Sequence, residues 1–186
     1  MGRSQPANRA AEANGKSAYQ QAMQVLQAAA DLPDLVVFDL DYCLWPFWCE
    51  MYSVDDEPSL YPQSKAVLEA LRDQNVPLAL ASRTPTPHVA RSFLNKLGLP
   101  PFFVSIQLIP ASSGFDQSSA QKDQAHFPKL LRDIGTPYKR MLFFDDEHKN
   151  VARVSKLGVT SILVSTSTGI TVEVLQKGLQ QFARQQ

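Results

Sequence analysis

Short apolar runs alternate along this chain with stretches whose apolar residues recur at helical spacing. Runs at 35–39, 77–81, 102–108, 140–145 and 160–164 read as strands, and the segments near 63–74, 87–97, 127–134 and 147–157 read as helices. A last helix, about 171–183, places Val172, Val174, Leu175, Leu179 and Phe182 roughly on one face. Local punctuation agrees: Thr86 and Pro87 make an N-cap and first-turn pair, and Gly98 and Gly158 close helices. Pro128 argues against an unbroken helix from Gln121 to Ile134. Before the alternation begins, "SAYQQAMQVLQAAA" at 17–30 predicts a short helix outside the core pattern, docked on the domain or on a partner. Strand and helix in turn predict an α/β fold: a doubly wound, Rossmann-like three-layer sandwich around a five-stranded, mostly parallel sheet. Two parts are expected, an N-terminal extension at 1–32 (a disordered tail plus the short helix) and one domain at 33–186.

Composition narrows the setting without naming a chemistry. Eighteen basic residues balance eighteen acidic ones, so no global field favours nucleic acid or a membrane surface. No run is long and apolar enough to span a bilayer, and the start has neither a secretory nor a myristoylation pattern. The two cysteines, Cys43 and Cys49, lack zinc-knuckle or redox-pair spacing and read as free thiols. A cytoplasmic protein is expected.

In parallel sheets ligands sit beyond the carboxyl ends of the strands, where strand order reverses. The first run ends "FDLD" with Asp39 and Asp41; the second leads to Ser82 and Arg83; the fourth ends "FFDDEHKN" with Asp145 and Asp146. Any one acidic cluster reads as a helix cap, and for Asp146 that reading is as good as any other. It is weaker for Asp39 and Asp41, since "YCLWPFW" does not resemble a helix start. Carboxylates gathered from two strands repel unless a cation lies between them, and an all-oxygen site with few protein ligands suits Mg²⁺ beside a phosphate. Ser82 offers a hydroxyl and an N–H to phosphate oxygens, and Lys122 or Arg83 a positive charge. One aspartate of the first pair can then attack phosphorus while the other moves a proton. The chain is expected to turn at Leu40, freeing its N–H for phosphate.

In this order these residues resemble the haloacid dehalogenase superfamily of aspartate-nucleophile phosphatases. "DLDYC" stands for its first motif, Ser82 for the second, a lysine for the third and "FFDDE" for the fourth. The longer stretches "VVFDLDYCLWPFW", "ASRT" and "FFDDEHKN…LGVT" resemble its magnesium-dependent phosphatase 1 branch, from residue 33 to about 183. The resemblance implies that Asp39 is the nucleophile and Asp41 the general acid and base. It implies Mg²⁺ on Asp39, the carbonyl of Asp41 and Asp146, with Asp145 orienting the loop. Phosphate would be bound by Ser82, Arg83, Lys122 and the N–H groups of Leu40 and Asp41. Asn150 stands where many relatives carry another acid. Cys43 replaces the usual Thr or Val, and "KDQAHF" is one residue longer than the family's run, which leaves Lys129 as the fallback lysine.

The stretches from Asp41 to Ser82 and from Arg83 to Lys122 leave no room for a sizeable cap domain. An open site admits a phosphorylated small molecule or an exposed phosphoryl group on a protein, and the resemblance suggests phosphotyrosine or sugar-phosphate esters. "WPFW", Trp45 to Trp48, reads as an aromatic rim or as core packing. The rivals are a serine-directed protein phosphatase of the same superfamily and a non-catalytic phospho-acceptor signalling domain. The second needs an acceptor aspartate after the third strand, and "FVSIQLIPASS" has none.

Overall fold

The computed structural model describes residues 17–110 and 121–185; the tail reading falls on 1–16, outside them. Five strands, β1 (Leu35–Phe38), β2 (Leu78–Arg83), β3 (Ser105–Ile109), β4 (Met141–Asp145) and β5 (Thr160–Leu163), form one sheet in the order β3-β2-β1-β4-β5. Every pairing is parallel. Among the described residues six α-helices accompany it: α1 (Ala18–Gln27), α2 (Ser64–Asp73), α3 (Pro87–Lys96), α4 (His126–Ile134), α5 (His148–Ser155) and α6 (Val172–Arg184). Alternation along β1 sends Val36 and Phe38 into a large core with α1, α2, α3 and α6, and Leu35 and Val37 into a smaller one with α4 and α5. The sheet is thus covered on both faces, as a parallel sheet requires. It is an α/β three-layer sandwich.

Four local expectations need correction. The third strand starts at Ser105, not 102, because Pro100–Phe102 forms a 3-10 turn and two successive prolines cannot donate to a ladder. The second strand runs through Ser82 and Arg83 rather than stopping before them, since β3 offers Leu108 and Ile109 as register partners. Thr86 precedes α3 but its side chain makes no cap bond; its hydroxyl lies near the Thr84 hydroxyl and the Cys49 thiol. The helix α1 docks on the domain, one of its two expected placements, but it joins the core instead of lying outside it. Ala22 and Leu26 are buried against α2 and α6, Tyr19 donates to Asp73 at 2.8 Å, and Ser17 with Gln20 closes a capping box.

Gly98 and Gly158 sit just past α3 and α5 with φ of +66° and +96°, the left-handed turn that ends a helix at little cost only with glycine. Pro128 is tolerated as the third residue of α4, where a missing N–H breaks no intrahelical bond. Among the described residues no cap domain stands between the elements; the segment from β1 to α2 holds only a 3-10 turn, Cys49–Met51. Strand order reverses between β1 and β4, so their carboxyl ends open a crevice there.

Candidate active site

The crevice is built by the segment after β1. Asp39 N–H still reaches the Phe144 carbonyl, and the chain then turns sharply: the Leu40 carbonyl accepts from the N–H groups of Cys43, Leu44 and Trp45. Leu40 itself is wholly buried and anchors that turn. The turn holds Tyr42 at a φ of +53°, a strained conformation for a side-chain-bearing residue. The two aspartates therefore do not share the face of an extended strand. They stand on either side of a turn and line one cleft of about 390 Å³ with Ser82, Arg83, Lys122, Asp146 and Trp48.

Lys122 organises the floor. Its Nζ lies 2.6 Å from Asp39 Oδ1 and 2.5 Å from Asp145 Oδ2, and it is almost completely buried. Lys129, the fallback, lies on an exposed face and pairs with Asp133. Burial disfavours the charged ammonium, but the carboxylates of Asp145 and Asp39 outweigh it and hold Lys122 above the ordinary lysine range. For Asp39 burial pushes the carboxyl up, Lys122 pulls it back and the Asp145 charge raises it again. Burial also raises Asp146, to about 6, with help from Asp145 and Glu147.

Carboxylate oxygens of Asp39, Asp145 and Asp146 lie within 4.8 Å of one another. Asp145 is already committed: it accepts from Lys122, from the Asn150 amide at 3.1 Å and from the Glu147 N–H at 2.7 Å. Asp39 Oδ2 and the Asp146 carboxylate accept from no other described residue. Three carboxylates facing one ammonium leave a negative surplus, and the available donors are hard oxygens. Both features fit a small divalent cation such as Mg²⁺.

Other groups converge on the cleft that spacing alone does not reveal. Asp41 Oδ1 accepts from Trp45 Nε1 at 2.6 Å and from the Cys49 N–H at 3.3 Å. Burial raises the Asp41 carboxyl, and those two donors oppose the shift. The tryptophans divide the two roles considered for them: Trp45 is buried, stacked on Phe47, while Trp48 is 54% exposed at the cleft. The Cys43 thiol, in place of a hydroxyl, makes a weak contact to the Phe144 carbonyl at 3.6 Å. Arg83 faces Glu147 at a loose 3.8 Å.

His126, the first residue of α4, places Nε2 3.0 Å from the Ser82 carbonyl and so fixes the backbone of the second motif. Burial drives its pKa from 6.5 down to about 4. The folded chain therefore refuses a proton that the unfolded chain accepts below pH 6.5, and this site's contribution to stability is lost as pH falls toward 4. Between pH 7 and 4.5 the loss should be about 2–3 kcal/mol. Urea unfolding at both pH values checks this: His126→Gln should show a smaller difference between them than the parent. An equal difference would mean that the ring does not stay neutral.

Comparison with known proteins agrees with this geometry. The family model described as Acid Phosphatase matches residues 31–58 and 53–185. Human magnesium-dependent phosphatase 1 is 37% identical over 172 residues, 84% of this chain and 91% of that protein. A HAD-like (haloacid dehalogenase-like) hydrolase superfamily protein of Schizosaccharomyces pombe is 35% identical over 149 residues, 70% of this chain and 84% of its own length. The chain belongs to this acid phosphatase family, within the HAD-like hydrolases. Among solved structures, the N-terminal part of a Bacteroides fragilis protein containing a phosphatase domain, complexed with Mg, has the same fold. Its TM-score is 0.61 at 15% identity, over 87% of this chain and 43% of that one. The acid phosphatase match runs from before β1 to the end of α6, so it takes in every strand that contributes to the cleft.

Proposed function

We propose that this Mg²⁺-dependent phosphatase hydrolyses phosphate monoesters, of the phosphotyrosine or sugar-phosphate type, by way of a phosphorylated Asp39. The observation that carries the reading is Lys122 seated between Asp39 and Asp145 in a cleft that Asp41, Ser82, Arg83 and Asp146 also line. Asp39, Asp146 and the Asp41 carbonyl would hold Mg²⁺, which when bound would supply positive charge to offset that on the phosphoryl oxygens.

The rest is done by the chain's own groups. Ser82, Arg83 and the N–H groups of Leu40 and Asp41 hold the phosphoryl oxygens, and the Lys122 ammonium offsets charge as it develops. Asp39 Oδ2, the oxygen that Lys122 does not hold, attacks phosphorus while the bond to the leaving oxygen breaks and Asp41 gives that oxygen its proton. Asp41 then takes a proton from water as the water oxygen attacks phosphorus, and Asp39 leaves as the free carboxylate. The exposed Trp48 beside the mouth suits an aromatic or sugar ring next to the phosphate. No helix among the described residues is long and apolar enough to cross a membrane. Both thiols are free, which favours a cytoplasmic setting.

Assays on a tyrosine phosphopeptide, a serine phosphopeptide and a sugar phosphate test the reading. Hydrolysis should stop in excess chelator and return with Mg²⁺ but not with Ca²⁺, which takes more ligands in looser geometry. The tyrosine and sugar esters should be preferred over the serine ester. Preference for the serine ester would instead make it a serine-directed enzyme, and full activity in chelator would remove the metal from the mechanism.

A further inference from the structure

Asp41 has two carboxylate oxygens, and the surrounding chain treats them differently. Oδ1 is claimed twice, by the Trp45 indole N–H at 2.6 Å and by the Cys49 backbone N–H at 3.3 Å. The Cys49 thiol also interacts with this carboxylate, but neither N–H donor reaches Oδ2, and Asp41 lines the cleft. An oxygen that already accepts two N–H bonds is a poor place for a proton, because its lone pairs are engaged.

We infer that Trp45 is a positioning residue for proton transfer: its N–H pins Asp41 Oδ1 and leaves Oδ2 as the atom that gives and takes the proton.

The packing behind Trp45 shows that it is held for this. Its ring stacks on Phe47 at 5.5 Å and 6° and meets Phe93 edge-on at 6.1 Å. It has no exposed surface, so the indole has no freedom to turn away from Asp41. The Cys49 N–H arrives from the 3-10 turn just beyond Trp48, and the Cys49 thiol lies 3.1 Å from the Thr84 hydroxyl. The orientation of one carboxylate is thus tied to the turn after β1 and to the end of β2. A carboxylate free to rotate about its Cβ–Cγ bond would present either oxygen at varying angle, and proton transfer is sensitive to such misplacement.

The inference rests on the proposed role of Asp41 and sharpens it. In the forward half-reaction the P–O bond to the leaving group breaks while the Oδ2 proton moves to the departing oxygen. In the second half-reaction water loses a proton to Oδ2 as its oxygen bonds to phosphorus and the Asp39–phosphorus bond breaks. Trp45 touches no reacting atom in either half. Its removal should therefore act in proportion to how much the leaving group needs a proton.

The cleanest variant replaces Trp45 with benzothienylalanine, which keeps the fused ring and substitutes sulfur for the N–H. Trp45→Phe is the simpler companion. Phosphorylation of Asp39, followed by single-turnover quench, should fall by about ten- to a hundredfold for an alkyl phosphate, whose leaving group needs protonation. For a nitrophenyl phosphate it should change by no more than about threefold. Equal losses on both esters would mean that Trp45 is only structural, and no loss on either would mean that Asp41 needs no such support; both overturn the inference. If the unmodified protein formed no phosphoenzyme at all, the proposed mechanism would fail before Trp45 was tested. A benzothienylalanine protein with the parent's melting temperature excludes misfolding as the cause.

Discussion

Asp39→Asn should abolish phosphoenzyme formation and lower turnover by roughly four decades or more, as deletion of a covalent nucleophile does. The substitution removes the charge of the proposed attacking oxygen while an amide oxygen can still accept from Lys122, so folding should be little changed. Asp41→Asn should behave differently. On the proposed mechanism it keeps the nucleophile and loses the proton donor, which should cost about 10²- to 10⁴-fold on esters with poor leaving groups and less on activated aryl esters. The proposed mechanism has the same residue activate water, so the phosphorylated form should persist in this variant. Rapid-quench labelling with a radioactive aryl phosphate reads both effects. Label held by the Asp39→Asn protein would place the nucleophile elsewhere.

The second large effect belongs to Lys122. Lys122→Met leaves Asp39 and Asp145 buried and facing each other with no ammonium between them, a change expected to cost about 3–5 kcal/mol. Catalysis should fall as well, by about a hundredfold or more, if Lys122 offsets charge on the phosphoryl group as proposed. Stability and catalysis can be separated. Adding Asp145→Asn removes one of the two stranded charges and should recover part of the stability without recovering turnover. Thermal melts and single-turnover rates on both variants measure this. If the double variant regained activity, Lys122 would be a structural counter-ion and nothing more.

Much of this site is legible in the residues because its clues are violations of what a strand needs. A buried apolar run ending in Asp39, and another in Asp145 and Asp146, demands compensation, and compensation implies a cation. Strand order is less legible: nothing in the runs at 35–39 and 140–145 says that they pair, although Val36 lies opposite Leu142. The choice between Lys122 and Lys129 lies beyond spacing arguments. It is made by the turn before α4, where the N–H groups of Gln124, Ala125 and Phe127 bond back to the carbonyls of Gln121 and Lys122. His126 leaves no periodic signal because one histidine at a helix start has many ordinary uses. Trp45 reads in the sequence by its bulk, whereas its contribution to the site lies in one polar edge. The helix α1 carries too few apolar residues to mark its buried stripe, yet Ala22 and Leu26 suffice against two neighbours.

The central place of β1 has a consequence for how the protein is made. It precedes the other strands, so it leaves the ribosome before them, and β2 can join one of its edges soon after. The other edge waits for β4, which comes late in the chain. During synthesis the nascent chain therefore presents an open, wholly apolar strand edge, Leu35–Phe38, of the kind that recruits other chains. Mutations that slow or weaken β4 should lower soluble yield in cells before they touch the activity of the molecules that do complete folding.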